Sequence, residues 1–304
     1  MSLPAAGAVI LAALLDRLVG ELPTSVHPVA LFGRLAAPFD REWGSPRFVG
    51  SLVAVGLPLA AAALVGVLVA LAGRIDPFAA AALAGGVLFT TTSLRMLLDE
   101  ARAVVDLTDE DLPAARERLR SLAGRDAAAL DAGLIRSAAV ESAAENLADG
   151  LIAPLLAFTI GAFVGLPVAA AAAAWVKAVN TLDSMLGYPG KPHGTASARL
   201  DDAVMWLPAR LAAGLIAVAV PDPETPWRAR RWVARVASPN SGWPMGTLAA
   251  ALGARLEKPG AYVLNDVGRL PDGGTARRGV SLVARAGWLA WLFAALALLW
   301  RVVA

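Results

Sequence analysis

From Phe48 to Gly73 the chain runs without one charged residue. A helix crosses the hydrocarbon core of a bilayer with ~20 mainly apolar residues, so this run limits the fold before any motif does. Pro77–Leu98 is a second apolar run, with Arg95 near its end, and Ser281–Trp300 is a third, entered after Arg277 and Arg278 and carrying Arg285 near its start. Leu3–Val19 is shorter and carries Asp16 and Arg17 near its end. No Lys or Arg precedes it, so it lacks the positive flank of a secretion signal and reads as an uncleaved span or a re-entrant helix. Composition agrees: 57% of the 304 residues are hydrophobic and 17% charged, against roughly 25% charged in soluble domains, and the mean hydropathy is +0.60. Trp43, Trp175, Trp206, Trp288 and Trp300 fall near run ends, where an interfacial aromatic belt places them.

Leu151–Val179 is apolar apart from Lys177. As one helix it would reach ~43 Å, too long for an upright span. Gly161, Gly165 and Pro167 interrupt it, which makes a broken hairpin as good a reading as a tilted span. Met205–Val220, with Pro208 and Arg210 inside it, poses the same choice. The expectation is an all-α, polytopic integral membrane protein with broken or re-entrant helices and a cytoplasmic helical insertion. It would form a single membrane-embedded domain over 1–304, with a polar helical insertion at 99–149, a Pro/Gly-rich polar loop region at 222–280 and a C-terminal transmembrane helix at 281–304. Within the insertion, Thr108 followed by Asp111 resembles a capping box, and Pro113 suits a first helical turn.

Charge and residue counts exclude several chemistries. Lys+Arg 27 against Asp+Glu 25 leaves a net charge of +2, which gives no case for nucleic acid. The absence of cysteine removes thiolate nucleophiles, Fe–S clusters and Cys-ligated zinc. His27 and His193 are the two histidines, so a three-His metal site within one chain is impossible. Gly190-Lys191 is followed by Pro192 rather than Ser or Thr, so it is no P-loop.

Polar residues gather instead at the ends of apolar runs. Ser137, Glu141, Glu145 and Asp149 recur every fourth residue and would share a helix face, with Ser142 and Asn146 in the adjacent row. Stacked carboxylates repel, so the face is either a cation or ligand site or a solvated acidic surface. Lys177, Asn180, Thr181 and Ser184 likewise share a face, with Asp183 beside Asn180. Snorkelling explains a lone terminal lysine but not this polar wall. Asp201 and Asp202 suit Mg2+, which takes one or two carboxylates plus phosphate oxygens and water, and Arg199 could fork onto phosphate; a helix-terminal acidic pair is the plainer alternative.

Six ordered segments carry a family resemblance. They are Asp16-x-x-x-Gly20-Glu-x-Pro23 with His27-Pro-Val29; Glu141-Ser-Ala-Ala-Glu-Asn-x-x-Asp-Gly150 with Pro154; Lys177-Ala-Val-Asn-Thr-Leu-Asp-Ser-Met-x-Gly-Tyr188; Ser197-Ala-Arg-Leu-Asp-Asp202; Pro208-Ala-Arg210; and Ser238-Pro-Asn-x-Gly-Trp243. Together they resemble the adenosylcobinamide-phosphate synthases of cobalamin biosynthesis, from about residue 16 to about residue 265. Two departures stand out: Lys191-Pro-His-Gly194 replaces a Tyr and Phe-Gly stretch, and Pro244-Met245 replaces Pro-Glu.

The resemblance implies a membrane ligase that uses ATP to join a carboxylate of adenosylcobyric acid to aminopropanol or its phosphate. It implies His27, Glu141, Glu145, Lys177 and Asp183 as catalytic candidates. Asn146, Asn180, Thr181, Ser184, Arg199, Arg210 and Asn240 would bind substrate or ATP, and Asp149, Asp201 and Asp202 are the Mg2+ candidates. ATP and Mg2+ are the expected co-substrate and cofactor; cobalt enters only within the corrinoid. Partners would be the corrinoid and amino-alcohol substrates, the lipid bilayer and other enzymes of nucleotide-loop assembly, with no nucleic acid. The loops 20–47, 99–149, 181–204 and 222–280 are expected on the cytoplasmic side of the cell membrane, where ATP is available. A transporter with a polar midplane site and a non-catalytic scaffold for corrinoid enzymes are the rival readings.

Overall fold

The protein is described from a computed structural model, which covers residues 2–123, 127–188 and 190–303. In chain order the helices are α1 (Ser2–Leu18), α2 (Pro28–Ala36), α3 (Pro46–Ile75), α4 (Pro77–Thr91), α5 (Leu94–Glu110), α6 (Leu112–Ala123), α7 (Ala132–Leu147), α8 (Ala153–Ala162), α9 (Leu166–Leu186), α10 (Thr195–Val204), α11 (Trp206–Val218), α12 (Thr225–Ala229), α13 (Gly242–Leu252) and α14 (Gly273–Val303). A short antiparallel hairpin, β1 (Leu256–Lys258) and β2 (Tyr262–Leu264), pairs Glu257 with Val263. Among the described residues, four stretches are long and apolar enough to cross a membrane: Pro46–Ile75, Pro77–Glu110, Ala132–Ala162 and Gly273–Trp300. The chain is an all-α polytopic membrane protein, and it divides into two compact units, Met1–Ser93 with Asp149–Met205 and Ala290–Ala304, and Leu94–Ala148 with Trp206–Leu289.

In the first unit α3 packs along α9, α1 along α4, and α8 against α9. The apolar faces that α3 turns outward include Leu52, Val55, Leu59, Leu64, Val67 and Leu71. A surface of this kind is costly in water and suited to lipid. Asp76 joins α3 to α4: its carboxylate accepts from the Phe78 and Ala79 amides at 2.6 and 3.0 Å, and Pro77 occupies the first turn.

Leu151–Val179 is a broken hairpin, the first of its two sequence readings. α8 ends at Ala162 and α9 begins at Leu166, with Pro167 in its first turn. Gly161 makes the return tight: a Cβ there would lie 2.8 Å from both Ala169 Cα and Val168 O. The glycine thus permits backbone-to-backbone approach rather than merely loosening the helix.

In the second unit α5 buries Leu97, Leu98, Ala101, Val104 and Val105, and packs against α6 and α7. The expected capping box shifts by one turn. α5 continues through Thr108, whose hydroxyl bonds Val105 O at 2.6 Å, and Asp111 caps α6 through the Ala114 amide at 3.0 Å. α7 is almost entirely buried within its unit, from Ile135 to Leu147, so this end of the stretch expected as a polar insertion belongs to an apolar helix. A π-turn over Ala148–Ile152 links α7 to α8; such turns often mark functional positions. α11 spans thirteen residues, ~20 Å, too short to cross a bilayer.

Gly161→Ala should lower stability in detergent by about 1–3 kcal/mol through overpacking. Gly56→Ala on α3, where a Cβ meets nothing within 4 Å, should leave stability unchanged or slightly raised. Thermal unfolding of the two variants checks the contrast.

Candidate functional site

In the first unit the segment between α1 and α2 brings Glu21 to His27, with Nε2 and Oε2 2.8 Å apart. His27 is also the N-cap of α2, its Nδ1 accepting from the Val29 amide at 3.2 Å. Because Nδ1 is an acceptor, the neutral ring carries its proton on Nε2 and donates it to Glu21. Burial and the Lys177 charge both depress the His27 pKa, which favours that neutral ring. Burial pushes the Glu21 carboxyl up to about 7; nearby Lys177 opposes the rise and Asp16 adds to it.

Lys177, half-buried on α9, feels the charges of Asp149, Glu21 and Asp201. These reach it from the π-turn, the α1–α2 segment and α10 respectively. Lys177 also borders an apolar cavity of about 300 Å3 walled by α2, α3, α4 and α9, with Val29, Phe32, Val65 and Val87 in its lining.

Further along α9, Asn180 Nδ2 lies 3.4 Å from Asp201 Oδ1, and Asp183 feels the charge of Asp202. Gly187 explains the glycine of that segment, since a Cβ there would sit 1.9 Å from Asp183 Oδ1. Burial raises the Asp202 pKa. Asp201 and Ser197 are one turn apart on α10 and both buried, and Ser197 Oγ has no hydrogen-bond partner among the described residues. A buried orphaned hydroxyl beside a carboxylate pair is the kind of group a bound ligand satisfies. Thr181 and Ser184 donate back to the carbonyls of Lys177 and Asn180, and Ser184 is exposed, as is Arg199. Among the described residues no three His, Asp or Glu side chains gather as a metal site.

The second unit holds a different polar group. Glu141 is fully buried; Ser137 Oγ and Tyr262 Oη donate to its two oxygens at 2.6 Å each, while Ser137 accepts from the Glu257 amide at 2.7 Å. These bonds give Glu141 a structural task, fastening the β1–β2 hairpin to α7. Ser241 Oγ donates to Glu145 Oε1 at 2.6 Å, and Asn146 Nδ2 to Ser142 O at 3.0 Å. Arg210 and Asn240 meet at 3.0 Å, with the Arg210 guanidinium also bound to Trp206 O and lying over the Trp206 and Trp243 rings. The Ser238-Pro-Asn-x-Gly-Trp243 segment is thereby a turn built around one arginine. Ser238 Oγ accepts from the Asn240 and Ser241 amides, and a Cβ at Gly242 would meet Val233 O at 2.2 Å.

His193, in the departing segment Lys191-Pro-His-Gly194, is buried against Asp40, 3.2 Å away, with Lys191 Nζ bonded to both Asp40 oxygens at 2.8 Å. Its backbone carbonyl lies against Gly50, leaving 2.0 Å for a Cβ there. Glu21 and Asp16 stand in one of the segments that carry the family resemblance, which assigns neither a role. Tyr262, the partner of Glu141, carried no local signal.

The chain matches the family CobD/Cbib protein over residues 9–299. It is 38% identical to the probable cobalamin biosynthesis protein CobD of Methanothrix thermoacetophila, covering 95% of this chain and 96% of that protein. It is 36% identical to the cobalamin biosynthesis protein CobD of Rhodobacter capsulatus, with 91% of each covered. The protein of the same name in Mycobacterium tuberculosis H37Rv is 40% identical over 92% of each chain. No solved structure matches.

Tyr262→Phe removes one hydroxyl donor from a buried carboxylate, so stability should fall by about 1–3 kcal/mol. Thermal unfolding against wild type, with His193→Gln as a second variant of a buried polar partner, measures the loss.

Proposed function

Because the chain belongs to the CobD/Cbib family, whose curated relatives are named for cobalamin biosynthesis, we propose that this membrane protein is the ligase of that pathway which joins a corrinoid carboxylate to an amino alcohol, or its phosphate ester, at the expense of ATP. The observation that carries this reading is the mixed cluster around Lys177. A cationic side chain, several carboxylates that act electrostatically on it and on one another, and a base within reach are the groups an ATP-driven condensation needs.

A carboxylate and an amine do not condense at neutral pH until the carboxylate is activated. Phosphoryl transfer to the carboxylate is catalysed mainly by positioning and by neutralising charge on the phosphates. Lys177 is the cationic side chain at hand for that purpose, with the charges of Asp149, Glu21 and Asp201 favouring its ammonium form against burial. Asp202 and Asp183, whose like charges face each other, fit a divalent cation that relieves their repulsion, with Asp201 and the Ser197 hydroxyl beside them. With no three-carboxylate cage among the described residues, such a Mg2+ would complete its shell with phosphate oxygens and water, as Mg2+ does in nucleotide sites. When bound, it would neutralise phosphate charge. Asn180 orients Asp201, and Asp149 and Glu21 restrain the Lys177 ammonium. Glu141, Glu145, Arg210 and Asn240 contribute on this reading by holding the second unit in shape. The corrinoid brings its own cobalt as part of the substrate.

The test is ATP-dependent amide formation from adenosylcobyric acid and aminopropanol by purified protein, followed by mass spectrometry. Asp202→Asn and Asp183→Asn should each lower turnover by about two or more orders of magnitude with the protein still monodisperse in detergent. Near-normal product from both variants would remove the metal role. Solute flux in liposomes without product would favour a transporter.

The polar cluster is further proposed to face the cytoplasm, where ATP is available. Ser25 and Ser184 are exposed and belong to the same unit, and the chain has no cysteine of its own. Single cysteines at these positions should react with a membrane-impermeant thiol reagent only after the cells are opened. Labelling in intact cells would reverse the orientation.

A further inference from the structure

Resting on the amide-forming reading above, we propose that Glu21 is the catalytic base that takes the proton of the attacking amine, and that His27 is the positioning residue that aims it. Three geometric facts support the pair. His27 Nε2 lies 2.8 Å from Glu21 Oε2. The Val29 amide occupies His27 Nδ1, so the imidazole can hold Glu21 only as a donor and leaves the remaining carboxylate lone pairs to accept. Val29 and Lys177 both line the 300 Å3 cavity, and Lys177 acts electrostatically on Glu21. The carboxylate is therefore linked, through the His27 ring and the Val29 amide, to the wall of a cavity of the size that takes a small organic ligand.

The groups that face Glu21 are Asp16 from α1, Lys177 from α9 and His27 from its own segment. Their balance, with burial, suits the chemistry. An alkyl ammonium has a pKa near that of lysine, about 10.4, and an ordinary glutamate about 4.3. Glutamate at its ordinary value is a weak acceptor for such a proton, whereas Glu21, raised to about 7, is ionised near neutrality and matched to general-base work.

In the step itself the amine nitrogen attacks the activated acyl carbon. The C–N bond forms, the C–O bond to phosphate breaks, and its electron pair leaves with the phosphate. Of the two protons the ammonium must shed, Glu21 takes the one that frees the nitrogen lone pair and passes it to solvent, and the departing phosphate takes the second, released after attack. His27 keeps its Nε2 proton throughout. It is not the base, a role its depressed pKa and occupied Nδ1 do not suit.

The experiment follows product formation by the full-length protein in detergent, with corrinoid, ATP and Mg2+, against pH and with two nucleophiles. Aminopropanol is largely protonated at pH 7; hydroxylamine is largely neutral and needs no base. Wild type should show an acid limb near pH 7, activity falling as Glu21 gains its proton. Glu21→Gln should lose about 100-fold or more of the aminopropanol reaction while still forming hydroxamate at close to the wild-type rate. His27→Ala removes the donor that stabilises the Glu21 carboxylate, so its acid limb should move to higher pH; His27→Gln restores a donor and should return the limb. Retention of the aminopropanol reaction by Glu21→Gln, equal loss of both nucleophiles, or an unmoved limb in His27→Ala would each overturn the assignment. A wild type that makes hydroxamate and amide only when ATP is present keeps the ligase reading standing whatever Glu21 does. A wild type that makes neither overturns both.

Discussion

An ionisable group on an apolar helix must be paired or made neutral, and Lys177 is where that requirement bears hardest on this chain. α9 is apolar from Leu166 to Val176 and then presents an ammonium. The charges acting on it come from Glu21, Asp149 and Asp201, three segments far apart in sequence. The approach to α2, the π-turn and α10 thereby all act electrostatically on one side chain. Replacing it would remove the positive charge those carboxylates sense, so the charge balance of this part of the unit depends on Lys177.

The polar groups around Glu141 and around Lys177 differ in their surroundings. Around Glu141, hydroxyl donors meet both oxygens of a buried carboxylate, the arrangement that fixes a structure and offers little to a ligand. Around Lys177 and Asp202 the arrangement is different. Burial and the Asp202 charge raise the Asp183 pKa, burial pushes Glu21 up to about 7, and Ser197 Oγ is buried without a partner among the described residues. Incomplete satisfaction of this kind is tolerated where a substrate completes it.

What the sequence disclosed was set by range. The uncharged run 48–73 and the Gly161, Gly165, Pro167 interruption are local signals, and α3 and the α8–α9 hairpin follow from them. The pairing of Asn180 with Asp201 was half legible, because each stood in a polar helix face whose partner face was unknown. The spacing of Ser137, Glu141, Glu145 and Asp149 correctly placed the first three on one helix, but Asp149 falls in the π-turn beyond it, and spacing could not distinguish a solvated face from a buried one. The deciding partner of Glu141 is Tyr262, 121 residues away. Thr108 was read as a cap because Asp111 and Pro113 follow it; the helix runs on because Thr108 is itself buried and its hydroxyl accepts from Arg136 at 2.7 Å. The short β1–β2 hairpin left no alternating pattern long enough to register.

The order His27-Pro28-Val29 has a meaning that none of the three residues has alone. Proline lacks an amide hydrogen, so the first donor that α2 can offer belongs to Val29, and it is directed at the imidazole. The main chain thus writes the protonation of a side chain in advance: which nitrogen bears hydrogen is decided when the helix starts, before any substrate arrives. Any residue other than proline at position 28 would add a second amide hydrogen at that helix start. In this chain a helix boundary doubles as an instruction about a proton.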